Sequence, residues 1–483
     1  MKIHLDFDEL QTPVHRARID YAFRCFCAIY EHTPVSKADS VSADAWISYS
    51  KRSKVPGHVA VLRLPSLYIP RPSDVAAPRP VFMRTDGSIL AFIHGSSDGT
   101  ADWLAEIFEW LSCADEYSIG EKDSVGRIPF RKGLIGRNSL DPLVPRAAVA
   151  MQHLQQSLTV ALNHNDRHAS GPNGKTHCVV NTHDVDFLCT SRSGTSFRLA
   201  KNCLISCANR SPALACTQAF GAFRTALGGT APFISLQSLA DSEKQHGVSS
   251  SYYFLVCHSH RRDGNYEMTD PGVLSHLKYL RNHGMEIGVH NSYNCLDDPD
   301  GLAGQYHILS SLGFPAQGGR QHWLRLSIGK LIDAVQRAHA IYDASLGWND
   351  QLGFRAGACF AFPPYDFSSE RPATFLELPL VITDSALASV GNAPLAAKIA
   401  HQILESSRQS RGGCSLLWHP ASFGGAQLPS WVGETFWTLM NISTQEGDTW
   451  LSAEKFLEQA HENYVAAGFL LGDKAHAQQY REC

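Results

Sequence analysis

From Cys178 onward, short apolar, strand-like runs alternate with segments whose apolar positions recur every three or four residues. Runs of the first kind predict buried strands, and segments of the second predict amphipathic helices. Strands are expected at Cys178–Thr182, Ser251–Cys257, Glu286–His290, Arg320–Leu326, Gly353–Gly357, Leu378–Thr383 and Cys414–His419. Between them the pattern predicts a helix capped by Asp270, with Pro271 in its first turn and Gly284 as its stop. Leu274, Leu277 and Leu280 give it one apolar face. Further helices are expected around Leu302–Leu312, Leu331–Tyr342 and Leu395–Ser407. Repeated strand-then-helix units imply a parallel sheet, because parallel neighbours need long crossovers. Polar residues cluster at the predicted C-terminal strand ends, where barrel sites form, so a (β/α) barrel is favoured over an open sheet.

The first part of the chain reads differently. Strand-like pieces appear at His58–Leu64 and Ile89–Ile93. A helix over Ala101–Cys113 places Trp103, Ile107, Phe108 and Leu111 on one side, and another over Pro145–Leu162 carries Val149, Leu154, Leu158 and Leu162. Nothing here looks like a reaction centre. A polar stretch at 163–175, with Gly171, Pro172 and Gly174, marks a linker. The expectation is therefore a smaller α/β accessory domain over 1–162 and a barrel over 176–483. A chain of 483 residues exceeds a comfortable single core and agrees with two domains.

Composition narrows the class only a little. The chain is 44% hydrophobic and 18% charged, with a net charge of -4 that gives no global attraction to nucleic acid or anionic membrane. Its 13 cysteines lack zinc-finger or redox spacing, and the odd number argues against a complete disulfide framework. The opening MKIHLDFDEL is acidic where a signal peptide needs an apolar core, and no apolar run is long enough to span a bilayer. Free thiols and the absence of a leader point to a cytoplasmic, reducing compartment. The sequence says nothing of oligomeric state.

The chemistry gathers at the strand ends. In Thr182-His183-Asp184-Val185-Asp186, Asp184 and Asp186 share one face of a strand, where two carboxylates repel unless a cation or arginine lies between them. Glu286–Asn294 delivers His290 into a polar turn, and a neutral imidazole is a good zinc ligand. Arg320 and His322 alternate with apolar neighbours on a common face. Arg355, flanked by Gly353 and Gly357, needs a carboxylate if buried, and Asp184 is the expected partner. His419 ends an apolar strand and is placed to act as a general acid, with Asp384 orienting it. Trp323, Phe360, Phe362, Tyr365 and Trp418 stand near these ends and could stack on a sugar ring.

In their order and type, these segments resemble the polysaccharide deacetylase superfamily, the NodB-homology or carbohydrate esterase 4-like group, over roughly residues 176–465. The likeness is strongest to a bacterial subgroup with an extra N-terminal domain. It implies a distorted barrel in which Asp184 is the catalytic base, Asp186 and His290 are metal ligands, Arg355 pairs with the base and His419 is the acid. The family's second metal histidine would fall at Asn294, a weak ligand, so His322 is expected to complete a zinc site with Asp186 and His290. The implied activity is metal-dependent removal of N-acetyl groups from a sugar or glycan in surface polysaccharide synthesis, with a nucleotide- or lipid-linked sugar as substrate. Two alternatives remain open: a glycan-binding protein that has lost turnover, and an amidohydrolase acting on a non-sugar amide.

Overall fold

The computed structural model describes residues 1–7, 12–50, 59–65, 82–83, 91–92, 101–162, 177–188, 192–208, 211–229, 234–264, 266–410, 412–425 and 427–472. The expected linker at 163–175 lies outside the described residues, as do residues 58, 89, 90 and 93 of the two early strand expectations.

Two parallel sheets organise the chain. Strands β1 (Lys2–Asp6), β2 (Thr33–Val35), β3 (Ala45–Ser48) and β4 (Ala60–Arg63) form the smaller, in the order β2-β1-β3-β4. A two-residue ribbon, β5 (Phe82–Met83) with β6 (Ala91–Phe92), follows. The larger sheet is built from β7 (Cys178–Val185), β8 (Ser251–Leu255), β9 (Glu286–Asn291), β10 (Gly318–Gln321) and β11 (Tyr342–Asp343). After a small antiparallel pair, β12 (Tyr365–Asp366) with β13 (Arg371–Pro372), it continues through β14 (Leu376–Glu377), β15 (Leu380–Thr383), β16 (Gly413–Leu417) and β17 (Thr449–Leu451). Its order is β14-β11-β10-β9-β8-β7-β16-β15, with β17 pairing the first half of β7 beside β8. The terminal strands β14 and β15 are separated in the chain only by Leu378 and Pro379. One short segment therefore joins both ends of the sheet and curls it into the expected distorted (β/α) barrel.

The central barrel strands are buried along nearly their whole length because both faces are covered, by helices outside and by side chains inside. Tyr253 and Tyr342 fill the interior, and Gly288 and Gly318 make room for them, since a Cβ on either glycine would enter the facing ring. Beneath the site the Tyr342 hydroxyl donates to Glu286 Oε1 (2.5 Å), and the Ser251 hydroxyl donates to Glu286 Oε2 (2.6 Å). One continuous apolar core runs from Ile3 on β1 through the barrel to Phe469.

Helix Pro271–Asn282 follows Asp270 with Pro271 in its first turn and stops at Gly284 in the left-handed region, as its sequence predicts. Two strand expectations fail. The run from Arg320 turns into a 3-10 turn at His322–Leu324 instead of continuing to Leu326. Gly353–Gly357 is not a strand: Gly353 and Gly357 take φ +128° and +61°. The Gly357 carbonyl accepts from the Ala147 N–H (2.8 Å) at the start of helix Arg146–Ala161. That segment is a loop clamped between the two parts of the chain.

Candidate active site

Every group in the site comes from the rim at the C-terminal ends of the barrel strands. Asp184 lies on β7, and Asp186 stands one residue beyond it. On β9, His290 registers beside Arg320 of β10, so the two project to the same side. His322 begins the turn after β10, and His419 lies two residues past β16.

Three imidazoles are oriented alike. His290 Nδ1 lies 2.9 Å from the Arg320 carbonyl, His322 Nδ1 lies 3.0 Å from Asp263 Oδ1, and His419 Nδ1 lies 3.0 Å from Asp384 Oδ2. An oxygen acceptor holds a proton on each Nδ1 and turns each Nε2 inward, where those of His290 and His322 can present a lone pair. Those Nε2 atoms converge on Asp186: His290 at 3.1 Å and His322 at 3.6 Å from Oδ1, His419 at 3.6 Å from Oδ2. Asp186 Oδ1 is nevertheless buried without a donor at hydrogen-bonding geometry. One donor atom from each of Asp186, His290 and His322 lies within 4.8 Å of the others, so a divalent cation fits this group. The structure thus brings together the three side chains that the sequence reading grouped as ligands. Asn294 is exposed at the start of the 3-10 turn Cys295–Asp297 and is not in the group.

The carboxylates differ in their surroundings. Burial opposes the charged form of Asp186, but His322, His290 and His419 outweigh it and hold its pKa well below the usual carboxylate range. Asp184 Oδ1 accepts from Arg320 Nη1 at 2.9 Å, while its Oδ2 lies 3.6 Å from His290 Nε2. Arg320 also donates to the Ala344 carbonyl and the Thr182 hydroxyl, and its guanidinium lies 5.0 Å over the Tyr253 ring. Burial opposes charge on Arg320 too, and Asp184 more than offsets it.

This pairing corrects the sequence expectation for Arg355. The Arg355 guanidinium donates from Nε and Nη2 to Glu116 at 2.7 and 2.8 Å and from Nη1 to the Gly347 carbonyl at 2.6 Å. Its backbone belongs to the clamped loop, not to a barrel strand, so it ties the N-terminal part to the barrel and does not reach Asp184. Arg320 takes the place assigned to it. The alternation that set Arg320 beside His322 on one face was the available signal.

Asp384 is fully buried at the start of helix Asp384–Ser389. It accepts from the His419 backbone N–H (2.8 Å), the His419 ring and the Ser422 hydroxyl (2.5 Å). Burial works against charge on His419, but Asp384 first, then Asp186 and Asp184, raise its pKa to about 10. On the other face of β7, His183 braces the same segment. Its Nδ1 lies 2.6 Å from the Trp418 carbonyl and its Nε2 lies 2.7 Å from Glu243 Oε1. Neither Asp263 nor Glu243 announces itself in the sequence, because each reaches the site through a histidine more than 50 positions away.

These groups open into a cavity of about 170 Å³ lined also by Trp323, Leu324, Asn349, Thr383, Ser385, Leu417 and Gln427. Of the five aromatic residues expected near the rim, Trp323 alone lines it, while Phe360, Phe362, Tyr365 and Trp418 are core residues. Trp323 and Leu324 both take left-handed backbone conformations, φ 65° and 50°. Strain of this kind gathers at functional sites. His258 and His260 stand apart, one on the Tyr266 carbonyl and one stacked on Tyr293.

No family profile matches the chain, and no curated protein sequence matches it. Among solved structures, the chain is similar to a protein of Mycobacterium smegmatis provisionally described as a polysaccharide deacetylase. There the TM-score is 0.39 and the identity 14%, over 61% of this chain and 93% of that one. It is also similar to a family 4 carbohydrate esterase from Streptomyces lividans solved with acetate, with a TM-score of 0.26 and 6% identity, over 57% and 93%.

Proposed function

We propose that the chain is a metal-dependent hydrolase that removes N-acetyl groups from a sugar or glycan. The observation that carries this reading is the convergence of three Nε2 atoms on Asp186 beside a second carboxylate, Asp184, fixed by Arg320. Two imidazoles and a carboxylate suit zinc best among the common divalent ions. Bound there, the cation would polarise the acyl carbonyl and make water easier to deprotonate.

The chain's own residues supply the proton transfers. Asp184, held by Arg320, accepts a proton from the attacking water. His419, kept protonated and oriented by Asp384, gives its Nε2 proton to the departing nitrogen. Trp323 offers a flat apolar surface at the cavity mouth for a sugar ring. The acetyl group and the sugar come from the family resemblance. Arg320, His419 and Asp384 favour turnover over glycan binding alone, since binding needs no acid or base.

The test is acetate release from a panel of N-acetylated sugars and non-sugar amides by zinc-loaded and chelated protein. Loaded protein should release acetate from at least one sugar, and chelation should abolish it. Full activity after complete metal removal, or release only from non-sugar amides, would overturn the reading.

A further inference from the structure

Between Asp186 and Asp241 the chain carries no acidic residue, yet it holds Arg192, Arg198, Lys201, Arg210 and Arg224. In a chain of net charge -4 this is a local reversal of sign. Most of the stretch folds as two helices, Arg192–Ala208 and Pro212–Ala226, inserted between β7 and β8 and packed chiefly on each other. The first lies at the barrel rim, where the Arg198 guanidinium sits 3.8 Å over the ring of Phe187, next to Asp186.

The hairpin is built the wrong way round for a helix pair facing water. Apart from Leu199, its buried positions are small or polar: Thr195, Ser206, Ala215, Gln218 and Thr225. Most of its large apolar side chains point out, with Phe197, Leu204, Phe220, Phe223 and Leu227 exposed by 75, 72, 65, 64 and 73%. Single exposed apolar residues are ordinary, but several on one hairpin mark a contact surface.

We propose that this hairpin docks the protein on an anionic lipid bilayer, with its phenylalanines and leucines in the headgroup–acyl boundary and its basic residues against acidic headgroups. Charge selects this occupant. A symmetric contact between two copies would set one basic surface against another, whereas an anionic leaflet complements it. Among the described residues no helix is long and apolar enough to cross a membrane, so the docking is peripheral.

The test uses the full chain, without substrate, in co-sedimentation with vesicles of phosphatidylcholine alone or mixed with phosphatidylglycerol. Binding to mixed vesicles should exceed that to phosphatidylcholine by about tenfold or more and fall as salt is raised. Phe220→Ser with Phe223→Ser should lose most of the binding, and Lys201→Glu should weaken it about fivefold or more. All three positions are exposed, so the thermal melt should be unchanged. No binding, equal binding to both vesicles, or binding indifferent to the phenylalanine pair would overturn the proposal. So would a dimer in light scattering that the same pair dissolves, since the face would then belong to a second copy. None of these measurements depends on acetate release, so they stand or fall apart from the hydrolase reading.

Discussion

Two buried arginines, Arg320 and Arg355, make the same kind of bond for different ends. Arg355→Met leaves Glu116 buried and unpaired, which should lower stability by about 3–5 kcal/mol. Adding Glu116→Leu should restore most of that loss, and kcat of the folded fraction should stay near wild type. Arg320→Met removes the partner of Asp184, so turnover should fall, and adding Asp184→Leu should rescue stability without activity. Denaturation midpoints read beside kcat separate the two cases. The proposed metal ligands can be sorted as directly. His322→Ala should empty the site, Asn294→Ala should leave it filled, and Asp263→Asn should weaken zinc by about 10–100-fold because it frees the His322 ring to turn. Zinc content after dialysis decides this. A filled site in His322→Ala would remove it from the ligand set.

At the scale of the element, the turn after β10 is where strain meets the cavity. Trp323 is held at φ 65°. Trp323→Gly should relieve the backbone by about 1 kcal/mol, because glycine adopts that region freely, and raise the melting temperature. The same change should raise KM several-fold for sugar substrates with little effect on kcat, since a stacking surface is lost and the proton transfers are untouched. An unchanged KM would show that the ring does not meet the substrate. This turn also shows what a sequence can and cannot disclose. Period-two and period-3.6 patterns reveal β7, β8, β9 and helix Pro271–Asn282, because burial leaves an apolar signature on each. They mislead at Arg320–Leu326, where apolar residues among polar ones suggest a strand although the chain turns at His322. No element is predicted between Thr182 and Ser251, where the described residues form three helices; in the basic hairpin most buried positions are small or polar and most large apolar ones are exposed, so no apolar face marks it. In the site, Asp184, Asp186, His290 and His419 were legible because each ends or follows an apolar run, and His322 because it stands two residues past Arg320, on the same side of an extended chain. Which arginine faces Asp184 was not, since both sit among glycines or apolar neighbours and only the register of β9 with β10 decides.

At the scale of the whole molecule, a cation bound by the triad joins β7, β9 and the turn after β10, so binding should stabilise the fold as a unit. Zinc at about 100 times its dissociation constant should add about 2.7 kcal/mol, and chelation should lower the melting temperature correspondingly. Calorimetry at several zinc concentrations would read this, and a melting temperature indifferent to zinc would argue that the triad does not hold it.

The place of β7 in the sheet bears on how the molecule comes into being. It lies between β8 and β16, with β17 sharing the β8 side, and the contact of Thr182 with Leu416 links positions 234 apart in the chain. At about 5–20 residues per second, the ribosome delivers that partner roughly 10–50 s after β7 emerges. Until then one edge of the strand that carries Asp184 stays open, a template for the wrong neighbour and a call on chaperones. His419 arrives with the same late segment, so the barrel seals and the proposed proton donor enters place in one event. A nascent chain halted before residue 413 therefore lacks both the seal and the proposed acid.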